Sequence, residues 1–158
     1  MTLQLPQPEA FPEQPSDPAR LRLALRVIAM PKDTNPYGSI FGGVILSYID
    51  QAAFVQARLH AKRRWVTLAL DRVEFKQPVY VGDTLNFYTR TVKAGRTSVT
   101  VEVDVHAERF APPSPGTTGK AQPAVSVTAA TLVMVAVDDT GRSVPFNQPI
   151  EANPDSQW

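Results

Sequence analysis

Residues 44–61, VILSYIDQAAFVQARLHA, run for eighteen positions without a Gly or Pro. Val44, Ile45, Leu46, Tyr48, Ile49, Ala52, Ala53, Phe54, Val55, Ala57 and Leu59 fill nearly every direction around a 3.6-residue period. A helix apolar on so many sides is expected to be buried and not to rest on a surface. Its end from Arg58 to Arg64 is polar and returns the chain to solvent, with Lys62, Arg63 and Arg64 as a solvated, dipole-compensating cluster.

After Arg64 the period changes to two. Segments 65–77, 83–94, 96–109 and 125–138 are rich in Val, Thr, Phe and Tyr, and the third alternates strictly through Val99, Val101, Val103 and Val105. These predict four long strands. Gly82-Asp83 and Gly95-Arg96 separate the first three at short spacing, which predicts consecutive antiparallel hairpins. Upstream, residues 21–30 suit a half-buried strand, with helix as the competing assignment. The stretch 31–43, PKDTNPYGSIFGG, is broken by two prolines and three glycines and must be loop. One apolar helix with four or five strands predicts an α+β fold in which a curved antiparallel sheet wraps around the helix. The outer face and edge of such a sheet call for self-association.

Composition narrows the functional classes. The 158 residues suit one domain, and 16 Lys and Arg against 15 Asp and Glu leave +1, which argues against a general nucleic-acid binder. The absence of cysteine removes disulfides, thiolate nucleophiles and cysteine zinc sites, and two histidines, His60 and His106, make His-rich metal sites improbable. His60 is expected at the exposed end of the helix and His106 on the strand face opposite Val103 and Val105. Neither is assigned to catalysis. Residues 1–20 carry Pro6, Pro8, Pro12, Pro15 and Pro18 with Glu9, Glu13 and Asp17, and read as a disordered tail, not a signal peptide. No apolar run is long enough for a membrane span, so a cytoplasmic protein is expected. The domain is placed at 21–146, with a Pro- and Gly-rich flexible insertion at 111–124 and a C-terminal tail at 147–158.

The most informative residue is Asp50, on the apolar helix with Leu46, Ser47, Ala53 and Phe54 as its neighbours one turn away. A carboxylate in a confined apolar setting is either a structural group bonded to Ser47 or a crossing backbone, or a general base. Phe41-Gly42-Gly43 at the helix start either permits a tight turn or lets a carbonyl oxygen approach unpaired N–H groups as in an oxyanion hole. Asn35, before Pro36, either orients a water or carbonyl or stabilises a turn. Gly95-Arg96-Thr97-Ser98 is either an ordinary hairpin turn or a phosphate contact.

Taken together, Met30-Pro31-Lys32-Asp33-Thr34-Asn35, Gly38-Ser39-Ile40-Phe41-Gly42-Gly43 and Leu46-Ser47-Tyr48-Ile49-Asp50 resemble the hotdog-fold acyl-CoA thioesterases, in their acyl-CoA hydrolase branch. Val66-Thr67, Phe75 with Pro78-Val79, Gly82-Asp83, Gly95-Arg96-Thr97-Ser98 and Val135-Ala136-Val137-Asp138 follow in the family's order, so the resemblance covers residues 22 to about 146. It implies a dimer whose two sheets become continuous, with further assembly to a tetramer or hexamer. It also implies hydrolysis of acyl-CoA to fatty acid and CoA by Asp50, acting as general base or nucleophile with Asn35 of the partner subunit. Gly42 and Gly43 would polarise the thioester carbonyl. Phe41, Val66, Thr67 and Phe75 would contact substrate, and Arg96, Thr97 and Ser98 would lie near the nucleotide of CoA. No cofactor or metal is required, CoA being part of the substrate, and neither nucleic acid nor a membrane is a partner. The alternatives are a non-catalytic acyl-CoA-binding or sensing protein, and a hotdog hydratase or dehydratase, which would need a His near the helix.

Overall fold

The computed structural model describes residues 17–109 and 123–148. Most of the expected N-terminal tail, nearly all of the 111–124 insertion and most of the C-terminal tail therefore lie outside the described residues. Strand β1 spans Arg22–Ile28, a 3-10 turn covers Pro31–Asp33, and helix α1 spans Gly42–Ala57. Strands β2 (Arg64–Phe75), β3 (Thr84–Ala94), β4 (Ser98–Glu108) and β5 (Val125–Val137) complete one five-stranded antiparallel sheet in the order β1-β3-β4-β5-β2. This is the curved sheet around one long helix that defines the hotdog fold. Register shifts interrupt every strand pair, and such bulges bend strands and deepen the curve.

Strict alternation places Val99, Val101, Val103, Val105 and Ala107 of β4 on the concave side, fully buried, beside Leu85 and Phe87 of β3 and Leu132, Met134 and Ala136 of β5. Against them α1 sets Ile45, Ile49, Ala52, Ala53 and Ala57. The three alanines let the helix backbone lie close to the sheet.

Three expectations about the backbone elements are corrected. The helix begins two residues earlier than 44 and ends four before 61, and it is not enclosed: within the chain, Ser47, Asp50, Gln51, Phe54, Val55 and Arg58 form an exposed stripe. Secondly, β2 and β3 do not form a hairpin. β2 pairs with β5 at the far edge, and residues 76–83 carry the chain back past the helix start to the other side of the sheet. That crossing is fastened by Ile40 N–H donating to Val79 O at 2.8 Å, and by Gly82 N–H donating to Ala29 O and Ala29 N–H to Asp83 O, both at 2.9 Å. Gly82 has φ 87°, a left-handed conformation that a side chain would strain. Gly-Asp marks a reversal but carries no information about which strand the chain rejoins. Thirdly, residues 17–20 form a turn packed on the domain.

That turn reveals a polar cluster the sequence did not signal. Gln56, on the core face of α1 and fully buried, donates through Nε2 to Pro18 O at 2.8 Å and Thr91 Oγ1 at 3.1 Å, and accepts from Thr89 Oγ1 at 3.0 Å. His60 Nε2 lies 2.8 Å from Thr91 Oγ1, and its ring meets the edge of Phe146. His60 is thus half-buried instead of exposed, and burial lowers its pKa below the usual histidine value. His106 stands on the convex face as expected, 3.2 Å from Asp104 and against Tyr88. Among the described residues no helix is long and apolar enough to cross a membrane.

Gln56 pairs the buried Thr89 hydroxyl and adds a second bond to Thr91 Oγ1 and to Pro18 O, and its loss also leaves a void. Gln56→Ala should therefore lower the unfolding free energy by about 2–4 kcal/mol in urea titrations at fixed protein concentration. A loss below about 0.5 kcal/mol, the scale of an ordinary surface change, would show that the cluster holds nothing.

Candidate active site

The helix start is built on glycine for a reason other than backbone freedom. Neither Gly42 nor Gly43 has positive φ, so a tight turn does not require them. Phe41 precedes them at the N-cap without a side-chain cap, and its carbonyl accepts the N–H of Val44 at 3.0 Å. The N–H groups of Gly42 and Gly43 are left without a capping side chain, at the positive end of the helix dipole. A Cβ on Gly42 would stand 3.1 Å from Phe75 Cζ, whereas a Cβ on Gly43 would meet nothing within 4 Å. Phe75, at the end of β2 and about half exposed, thus lies over the first glycine.

A cavity of about 300 Å³ opens beside this start, between Ile40, Gly42, Ile45, Phe75 and the segment 76–79. The loop leading into it is held by Asn35. Asn35 Nδ2 donates to Ser39 Oγ at 2.8 Å, while Oδ1 accepts from Tyr37 N–H at 2.9 Å and Ser39 N–H at 3.2 Å. Within the chain its side chain works as a turn former, and none of these bonds reaches Asp50.

Asp50 sits two turns further along, on the exposed stripe. Thr67 Oγ1, from β2, donates to Asp50 Oδ1, and Met134 Sδ lies 3.3 Å from the same hydroxyl. The structural alternative involving Ser47 is not realised, since Ser47 Oγ donates to Val44 O at 2.9 Å. Among the described residues Thr67 is the hydrogen-bond partner of the Asp50 carboxylate, on a stripe whose next turn is Phe54. The pairing with Thr67 joins two residues singled out separately.

The remaining residues lie elsewhere. Arg96, Thr97 and Ser98 form the β3–β4 turn, where Arg96 O accepts Phe146 N–H at 3.2 Å and Thr97 O accepts Ala136 N–H at 2.8 Å. Ser98 and Val66 both pair with Val135, so this turn and Val66 stand at the opening end of β2, while the helix start stands at its closing end. One chain thus brings together Phe41, Gly42, Gly43 and Phe75, and separately Asp50 and Thr67, but neither group with Arg96. No cluster of three or more His, Asp or Glu among the described residues could hold a metal.

Residues 37–109 match the family model of the thioesterase superfamily. The YciA acyl-CoA thioester hydrolase of Salmonella typhimurium is 38% identical over 124 residues, covering 78% of this chain and 89% of that protein. An uncharacterized acyl-CoA thioester hydrolase of Zymomonas mobilis is 52% identical over 81 residues, about half of each chain (51% and 54%). Among solved structures, a hexameric hotdog-fold thioesterase of Campylobacter jejuni superimposes with a TM-score of 0.71 at 41% identity, covering 79% of this chain and 90% of that one. A hexameric broad-specificity acyl-coenzyme A thioesterase, in a variant with one aspartate replaced by alanine, gives 0.71 at 35% identity, covering 80% and 87%.

Gly43 separates the two readings of the glycine pair. Alanine there meets no atom of the chain and favours helix by about 1 kcal/mol. Gly43→Ala should leave the melting temperature unchanged or raised, yet lower kcat/KM for thioester at least about tenfold by blocking approach to the backbone donors, the scale of one lost oxyanion contact. Undiminished turnover would leave the glycines a purely local role.

Proposed function

The chain belongs to the hotdog-fold acyl-CoA thioester hydrolases, and from that premise we propose that it hydrolyses acyl-CoA to a free fatty acid and CoA at a site shared by two protomers. The observation that carries this reading is the Thr67–Asp50 pair on the exposed stripe of a helix whose glycine start is uncapped.

The thioester carbonyl lies at the N–H groups of Gly42 and Gly43, which stabilise the oxyanion as the tetrahedral intermediate forms. Asp50 either takes a proton from the attacking water or attacks the carbonyl itself to give a mixed anhydride that water then opens. Thr67 fixes the carboxylate by claiming Oδ1. CoA departs as a thiolate, a good leaving group, and this is why the chemistry proceeds without a histidine at the site. Asn35 of the partner subunit assists Asp50, with the N–H of its amide that Ser39 does not use.

Sharing follows from β2. Among the described residues this strand is paired on one side only, and Val66, Leu68 and Leu70 are exposed along it. A second copy pairing antiparallel there makes one continuous ten-stranded sheet. It also sets the opening end of β2 in one protomer against the closing end in the other. The Arg96-Thr97-Ser98 turn then reaches the partner's helix start, where its guanidinium meets the CoA phosphates. Exposed Phe54, Val55 and Leu59 supply apolar surface for assembly beyond the dimer, in keeping with the hexamers among the solved relatives.

Asp50→Asn should cut kcat at least about 100-fold in a thiol-release assay while the far-UV spectrum stays native, the scale of a lost general base. Turnover at the wild-type rate would remove Asp50 from the chemistry and favour a binding or sensing role.

The shared site is tested by complementation. Asn35→Ala and Asp50→Asn proteins, each inactive alone, should regain activity when their subunits are exchanged, because some heterodimers hold one intact site. If mass spectrometry shows exchange and no activity returns, Asn35 and Asp50 do not act across the interface.

A further inference from the structure

Behind the cavity at the helix start lies an ion pair that the proposed chemistry does not use. Asp83 is 2% exposed and its partner, Arg109, is largely covered. The guanidinium works as a fork on one short segment. Nη1 donates to Asp83 Oδ2 and, at 3.0 Å, to Pro78 O, while Nη2 donates to Gln77 Oε1 at 3.3 Å. The Tyr80 ring stacks 5.6 Å from the same guanidinium. Asp83 returns to that segment by accepting the N–H of Tyr80 at 3.0 Å.

The opposite side of the segment is fixed as well, since Val79 O accepts Ile40 N–H at 2.8 Å, one residue before the N-cap. Gln77, Pro78 and Val79 form one wall of the cavity, facing Gly42, Ile45 and Phe75. Arg109 therefore grips from behind the same residues that bound the cavity in front. A pair this well covered costs desolvation, and an apolar contact would hold a loop as firmly. What a planar fork adds is geometry: several acceptors set at fixed positions at once.

We propose that this cavity takes the acyl chain of the thioester, and that Arg109, through Asp83 and residues 77–80, is a positioning residue that sets chain-length preference. The proposal rests on the acyl-CoA hydrolase reading above. The cavity begins at Gly42, beside the N–H groups that receive the carbonyl, and Ile40, Ile45, Phe75, Pro78 and Val79 supply apolar walls, with Lys76 and Gln77 as its polar members. Its volume of about 300 Å³ equals roughly ten water-sized groups, room for a chain of up to about ten heavy atoms. An acetyl group ends at the carbonyl site, whereas an octanoyl chain reaches the wall that Arg109 holds.

The test is the ratio of kcat/KM for octanoyl-CoA to that for acetyl-CoA, measured by thiol release on the full chain. Arg109→Gln should lower the ratio at least tenfold, mainly through KM for octanoyl-CoA, and Arg109→Lys should restore part of it. Because Arg109→Gln strands a buried carboxylate, the double variant Asp83→Asn/Arg109→Gln serves if the single one does not fold; the same fall is expected. Ile45→Phe, which fills the cavity without touching the pair, should lower the ratio as well. A wild-type ratio in folded Arg109 variants overturns the positioning role, and a wild-type ratio in Ile45→Phe overturns the cavity assignment. No thiol release from either substrate by the wild-type chain would overturn the hydrolase reading and this proposal with it.

Discussion

Everything in this molecule depends on one helix having one concave surface to bury against. The sheet takes the face carrying Ile45, Ile49, Ala52, Ala53 and Gln56, and among the described residues nothing covers the opposite face. A sixteen-residue helix packed this way must present its remaining side chains outward, and those include Asp50, Phe54 and Val55. The carboxylate is therefore displayed beside apolar neighbours as a consequence of packing. Burial of one face is what exposes the other.

The strand segments were legible because buried β-strands write their period directly: alternation through Val99 to Val105 needs no tertiary information. Pairing was not. The reading of β2 and β3 as a hairpin failed because a short connector with Gly82-Asp83 serves equally for a hairpin and for a crossing that moves the chain from one flank of the sheet to the other. What decides between them is the helix, which occupies the concave side and leaves β2 the edge beside β5. The enclosed-helix reading erred for a related reason. Apolar residues on all sides signal burial, but they do not say whether the same chain provides it.

The site was legible in parts. Asp50 stood out as a charge on an apolar helix, and Thr67 came only through family resemblance, yet the structure joins them through a hydrogen bond across 17 positions. Gln56 and Arg109 left no signal. A glutamine on a helix and an arginine at a strand end are ordinary surface residues by type, and only the partners brought to them by folding, Thr89, Thr91 and Pro18 for one and Asp83, Pro78 and Gln77 for the other, turn them into buried anchors. Polar networks among distant strands have no local period, so composition and spacing cannot report them.

The exposed edge of β2 links stability to catalysis. Natural sheets blunt a free edge with charge, proline or a bulge, and β2 does carry Asp71, Arg72 and Glu74 in its second half and register shifts at Thr67/Ala69 and Leu70/Arg72. Between Arg64 and Asp71, where Val66, Leu68 and Leu70 are exposed, no charge blunts it. An edge guarded along part of its length and open along the rest favours one pairing partner in one register, which a second copy running antiparallel satisfies. The strand that needs covering is also the one that supplies Thr67 to Asp50 and Phe75 to the helix start. Assembly and site formation then draw on the same surface. On the shared-site reading proposed above, free energy released by covering β2 would hold the catalytic groups in place, and a protomer without its partner would lack both a protected edge and a complete site.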